Sequence, residues 1–169
     1  MGADLLNDVS QQHLLEKGAT LTAICYGINQ IMSIVYVLFI PALVKKIDEK
    51  IIFGIATLIG GLGLVLSLLT HSFVILIIGM LGLGMMVAAT NAIPYITVTR
   101  EIGKEKMGLY LGVFNITITV PQIIAGLLAG VMSQHLFHND ARQIILLAGW
   151  SIAFGGLIAL GQLMLKSKK

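Results

Sequence analysis

Neutral amides, hydroxyls and phenols recur at helical spacing inside long apolar stretches of this 169-residue chain, and they are the residues with chemistry to offer. Tyr26, Gln30 and Ser33 fall at i, i+4 and i+7, with Asn29 beside them. Gly84, Ala88, Asn91 and Tyr95 repeat at i, i+4, i+7 and i+11. The longest stripe runs through Gly108, Gly112, Asn115, Thr119, Gln122, Gly126 and Gly130, all on or near one helical face. Such groups supply paired donors and acceptors, and a tyrosine face stacks on a sugar ring, so the set suits an uncharged, hydroxyl-rich solute. Individually, Asn29, Asn91, Asn115 and Gln122 would serve equally well as hydrogen bonds between helices, which membrane bundles form routinely. Their spread over three apolar segments, and their absence from two others, favours a solute path for the set as a whole. The candidate substrate-binding residues are therefore Tyr26, Asn29, Gln30, Asn91, Tyr95, Asn115, Thr119 and Gln122.

Pro41, Pro94 and Pro121 stand within or near the ends of apolar segments, where a missing N–H and a ring clash loosen a helix. Pro94 and Pro121 adjoin Tyr95 and Gln122 and are the candidate gating positions, although such bends are also ordinary in static membrane helices. Other chemistry has little support. His135, His138 and Asp140 have a spacing compatible with a metal, but the cluster is short and solitary and reads better as an interfacial polar turn. No nucleophile elbow, metalloprotease, phosphate-loop or dinucleotide pattern is present, and no carboxylate pair lies inside an apolar segment. Neither an enzyme, a cofactor nor a metal is expected. If transport is coupled to H⁺ or Na⁺, the carboxylate that binds the ion is expected not to be on this chain.

The elements that position these residues follow from composition. A chain that is 57% hydrophobic and 11% charged cannot cover a water-facing surface. Hydrocarbon about 30 Å thick requires about twenty apolar residues per helix, and five such runs are present: 19–44, 51–70, 73–98, 108–134 and 142–165. Polar residues are plentiful in the first, third and fourth, which are expected to line a shared interior. The second and fifth hold little beyond Thr57, Ser67, Ser151 and Gln162, and are expected to face lipid. Cys25 lies alone within the first run and precludes an intrachain disulfide.

Orientation follows from the basic residues. Lys45, Lys46, Lys50, Arg100, Lys104, Lys106, Lys166, Lys168 and Lys169 share one side of a five-span bundle, nine in all, against Lys17 and Arg142 on the other. The positive-inside rule makes the C-terminus, with its 166–169 tail, cytoplasmic, and places residues 1–18 outside. Stop-transfer charge accounts for the net +3, so no nucleic-acid partner is expected. Residues 4–17 carry Leu5, Leu6, Val9 and Leu14 at near-helical spacing, with Gly18 at the expected C′ position, and read as an amphipathic surface helix. No signal for export precedes them, which fits the back part of a longer transporter. A complete five-span protein is the alternative. Short loops and the lack of targeting signals point to a prokaryotic inner membrane.

The stretch Met107-Gly108-Leu109-Tyr110-Leu111-Gly112-Val113-Phe114-Asn115, followed by Val120-Pro121-Gln122-Ile123, resembles the eleventh helix of sucrose/maltose-type sugar:cation symporters of the glycoside–pentoside–hexuronide kind, in the major facilitator superfamily. Ile93-Pro94-Tyr95 resembles the end of the tenth helix, and Lys45 to Gly54 the loop between helices eight and nine, without the superfamily's Gly-Asp-Arg-Gly-Arg type of signature. The resemblance implies an all-α integral membrane protein. Its five transmembrane helices would be helices eight to twelve, most of the C-terminal half-bundle of a twelve-helix transporter, with helices nine and twelve at the lipid periphery. It also implies Asn115 and Gln122 as cavity-facing positions, Pro94 and Tyr95 as a gate region, and a disaccharide as substrate. The mechanism to expect is alternating access around a midplane sugar site, with H⁺ or Na⁺ bound by the N-terminal half. The rival readings are a small accessory or assembly subunit that packs against other membrane proteins, and a channel, which requires a symmetric oligomer.

Overall fold

A computed structural model describes residues 2–70, 72–101, 106–135, 137 and 140–166, with the side chains of residues 2–10, 101, 133 and 163–166 excepted. His71, Lys104, His138, Lys168 and Lys169 lie outside the described residues. Five α-helices account for nearly all of that chain: α1 (Gly2–Leu43), α2 (Glu49–Leu69), α3 (Phe73–Glu101), α4 (Met107–His135) and α5 (Ala141–Lys166). Each contains a segment long and apolar enough to cross a membrane. In hydrocarbon a helix satisfies every backbone group internally, which is why apolar runs of this length adopt no other form.

Polar residues punctuate the ends. Asp48 caps α2, its carboxylate accepting from the Lys50 amide at 2.8 Å. Asp140 does the same for α5, accepting from the Arg142 amide at 2.9 Å and from the Gln143 side chain at 3.0 Å. At the far end of α2, Thr70 returns both its amide and its hydroxyl to the Leu66 carbonyl. The Arg142 guanidinium donates to the Leu68 carbonyl at 2.8 Å and joins the end of α2 to the start of α5. At the opposite end of the bundle, Glu49 accepts from the Thr97 hydroxyl at 3.0 Å and pairs with Arg100 at 3.5 Å, joining the start of α2 to the end of α3.

Among the described residues the packing order is α1, α3, α2, α5, each against the next, while the main contacts of α4 are with α3 and α5, and light. This corrects the expectation that α2, being poor in polar residues, would sit at the lipid periphery. Of the five helices its span is the most buried. The reason is glycine rather than polarity: removing side chains lets backbones meet, and close approach is the main source of helix association in a membrane. Toward α5, a Cβ on Gly61 would strike the backbone of Ala153 and stand 2.8 Å from the Gly149 carbonyl oxygen. Toward α3, a Cβ on Gly63 would lie 3.0 Å from the Gly79 Cα. The remaining face of α2, with Ile55, Ile59, Leu62, Leu66 and Leu69 exposed at helical spacing, is left for lipid.

A second difference lies in α1. The separate surface helix expected over 4–17, ending at Gly18, is instead continuous with the spanning segment, and α1 runs for 42 residues. That is about 63 Å, twice the hydrocarbon thickness. Glycine inside a helix costs only about 1 kcal/mol relative to alanine, and no proline follows to enforce a stop. Thr20 and Thr22 donate to the carbonyls of Glu16 and Gly18, continuing the i−4 pattern across the glycine.

Candidate functional site: a groove between the first and third helices

The α1–α3 seam is packed along its length and flanked on one side by an open groove. Within the seam Gly84 brings the backbones together, since a Cβ there would lie 2.5 Å from the Asn29 carbonyl oxygen and 3.1 Å from the Ser33 nitrogen. Asn29 is buried in this crossing and donates from Nδ2 to the Met80 carbonyl at 3.4 Å. Farther along, Ile40 is completely buried with Ala88, Ala89 and Ile93 in the main apolar cluster, and Tyr36 and Leu43 pack against it. Ser33, Ile34 and Val37 lie on the adjoining face of α1 and form one wall of an open groove of about 330 Å³ beside the packed seam. Val87, Ala88, Asn91, Ala92 and Tyr95 form its α3 wall.

None of the lining residues is charged. The polar equipment is the Ser33 hydroxyl, the Asn91 amide and the Tyr95 phenol, set among aliphatic walls. That combination satisfies a neutral ligand with several hydrogen-bonding groups, and disfavours an ion, whose desolvation no opposite charge would offset. Tyr26 and Gln30 are exposed on the same face of α1 as Ser33, about two turns and one turn from it respectively, and extend the polar strip beyond the cavity.

The structure therefore brings together part of the residue set. Asn91 and Tyr95 share one cavity, Tyr26 and Gln30 continue its rim, and Asn29 is engaged in the helix crossing. Asn115, Thr119 and Gln122 are elsewhere. They are exposed on α4, no residue of whose span is buried, so the shared interior expected from three polar helices is not closed. Gly108, Gly112, Gly126 and Gly130 on the same helix meet nothing within 4 Å. The physical reason is that α4 makes no broad contact with α1 or α3; its link to the groove is an edge-to-face contact of Phe114 with Tyr95.

Pro94, about 100° around α3 from Tyr95, does not line this groove. It faces a second cavity of about 330 Å³ against the start of α2, with Glu49, Phe53 and Thr97 around it. Both α3 and α4 remain helical through Pro94 and Pro121. Asp140 is engaged in capping α5, and His135 closes α4. Two features escaped sequence reasoning: the Glu49–Thr97–Arg100 network and the Tyr95–Phe114 stack. Arg100 carries an orientation signal that conceals its pairing, and no periodicity relates Phe114 to Tyr95 across a loop.

The profile of the Major Facilitator Superfamily matches residues 5–126, more than half of the chain. No curated protein and no solved structure matches it closely enough to count as a relative.

Proposed function

We propose that this chain, which belongs to the Major Facilitator Superfamily, takes part in membrane transport of a neutral sugar, a disaccharide by preference, through cation-coupled alternating access. The observation that carries the proposal is the uncharged groove between α1 and α3, where Ser33, Asn91 and Tyr95 converge. A sugar ring offers alternating hydroxyls for Ser33 and Asn91 and an apolar face for Tyr95. Gln30 and Tyr26 continue the strip along α1, long enough for a second ring. In this reading α1 to α5 stand as helices eight to twelve, and a second half-bundle faces the exposed polar residues of α1 and α4, supplying the site for H⁺ or Na⁺. Asn115, Thr119 and Gln122 then contribute to the substrate path from α4 once that helix is covered.

Uptake of a labelled disaccharide by vesicles holding the complete transporter tests the reading. The expected result is saturable uptake that depends on a cation gradient and falls at least tenfold in Asn91→Ala or Tyr95→Ala. Uptake unchanged in both variants would remove the groove from the substrate path.

The accessory-subunit reading draws on a different observation, the four open glycines of α4. Mild detergent extraction separates the two. A heteromeric complex of constant stoichiometry, retained when Asn91 is replaced, favours an assembly role.

A further inference from the structure

We infer that the cavity beside Pro94, between the start of α2 and the end of α3, binds one anionic phospholipid, with an acyl chain in the cavity and the phosphate held by Lys50 and Arg100. Depth in the bilayer decides what can reach it. The 21 residues of α2 span about 31 Å, the thickness of the hydrocarbon, so Glu49 and Lys50 at its start stand at the boundary with the headgroups. Thr97 of α3 reaches Glu49 at 3.0 Å and stands at the same level. Phe53 on α2 and Ile93 on α3 each lie about one turn deeper. The cavity of about 330 Å³ therefore runs from the headgroup level into the hydrocarbon, and Phe53, Ile93, Pro94 and Val98 give it apolar walls.

The carboxylates at this level are already engaged, and positive charge is left over. Oε1 of Glu49 accepts from the Thr97 hydroxyl and Oε2 pairs with Arg100 at 3.5 Å, while Asp48 is taken up in capping α2. Arg100 is 56% exposed and keeps further N–H groups beyond that pair. Lys50 lines the cavity and is exposed, and Lys45 and Lys46 are exposed on the turn before α2. Among these residues four cations stand against two carboxylates. A neutral sugar finds little here, because the one hydroxyl among the described lining residues, on Thr97, is engaged. Free phosphate would meet the charge and leave the apolar walls unfilled, and a zwitterionic lipid brings a cation of its own. A phosphate and an acyl chain on one anionic lipid match both halves of the site. Seated there, the lipid bridges α2 and α3. The site shares no lining residue with the α1–α3 groove and does not depend on the solute proposed for it.

Two measurements on the full chain test it. In the first, Phe53→Trp in a Trp150→Phe background puts the sole indole on the cavity wall, and the protein is reconstituted in phosphatidylcholine with a small fraction of lipid brominated on its acyl chains. Brominated phosphatidylglycerol is expected to quench that indole at a mole fraction at least about fivefold lower than brominated phosphatidylcholine requires. Lys50→Gln should cut the preference about fivefold, the effect of one lysine near a membrane surface, and Lys17→Gln, at the other end of the bundle, should leave it unchanged. Val98→Phe narrows the cavity without altering charge and should abolish the preference. Equal quenching by the two lipids, or a preference untouched by Lys50→Gln, would overturn the inference. A preference that survives Val98→Phe would also overturn it, by reducing it to attraction over the surface. The second measurement dispenses with the indole at position 53: the parent chain, extracted from an equal mixture of the two lipids, is weighed by native mass spectrometry. One phosphatidylglycerol per chain is expected, and its loss in Lys50→Gln. Retention of both lipids equally, or of neither, would overturn the site.

Discussion

Tyr95 of α3 and Phe114 of α4 meet edge to face, with ring centroids 5.3 Å apart and ring planes at 89°. This contact attaches the most exposed helix of the molecule to a residue that lines the α1–α3 groove. Any displacement of the Tyr95 ring therefore acts on α4 directly. Aromatic pairs of this geometry contribute about 0.5–1.5 kcal/mol beyond simple burial. In a double-mutant cycle of Tyr95→Leu and Phe114→Leu, followed by denaturant unfolding in micelles with the single Trp150 as reporter, a coupling energy of that size is expected. Strict additivity would mean that the rings do not support each other.

Glycines on different helices are expected to respond in opposite ways. Gly61→Ala forces a methyl group onto the Ala153 backbone and should destabilise the bundle by about 1–3 kcal/mol, the usual cost of overpacking. Gly112→Ala meets nothing within 4 Å and should be neutral, or stabilising by up to about 1 kcal/mol through helix propensity. Thermal unfolding of both variants in the same detergent decides the matter, and an equal loss in both would show that α4 is packed against another helix.

Asn29 should behave as a structural residue and Asn91 as a ligand-facing one. Asn29→Leu removes the bond to the Met80 carbonyl and inserts a branched side chain at the Gly84 crossing. The hydrogen bond alone contributes about 0.6–2 kcal/mol by the standard of membrane helices. We expect a lowered Tm for Asn29→Leu and an unchanged Tm for Asn91→Leu. The reverse order would exchange the two roles.

The pair between Glu49 and Arg100 should contribute little to stability. Arg100 is 56% exposed and the separation is 3.5 Å, so about 0–1 kcal/mol is expected, weakening further in high salt. Glu49→Gln retains an acceptor for the Thr97 hydroxyl and should unfold within that margin of the parent chain. A loss several times larger would identify the network as a joint between α2 and α3 whose charge is essential.

The orientation read from the basic residues is open to direct labelling. In a Cys25→Ala background, Lys46→Cys is expected to react with a membrane-impermeant maleimide only in inside-out vesicles, and Asp140→Cys only in right-side-out vesicles. The opposite pattern would invert the topology.

The sequence alone determined the number of spans and the superfamily. Hydrocarbon imposes a length on each helix and excludes charge from it, so 57% hydrophobic composition with charges confined to the gaps specifies five helices before any contact is known. It also showed which faces are polar, because the period of a helix is the same in every environment. Only the tertiary structure decided which of those faces meet. The partner of a face depends on how closely two backbones can approach, and that is a property of two helices together. Gly61 and Gly63 draw α2 between α5 and α3, although its polarity alone would place it at the edge. Gly84 pinches α1 onto α3 and takes Asn29 into the crossing, while about two turns farther along α3 Asn91 stays exposed in the groove. By period Asn29 and Asn91 are alike, each an amide on a polar stripe; the crossing at Gly84 is what separates the buried one from the exposed one.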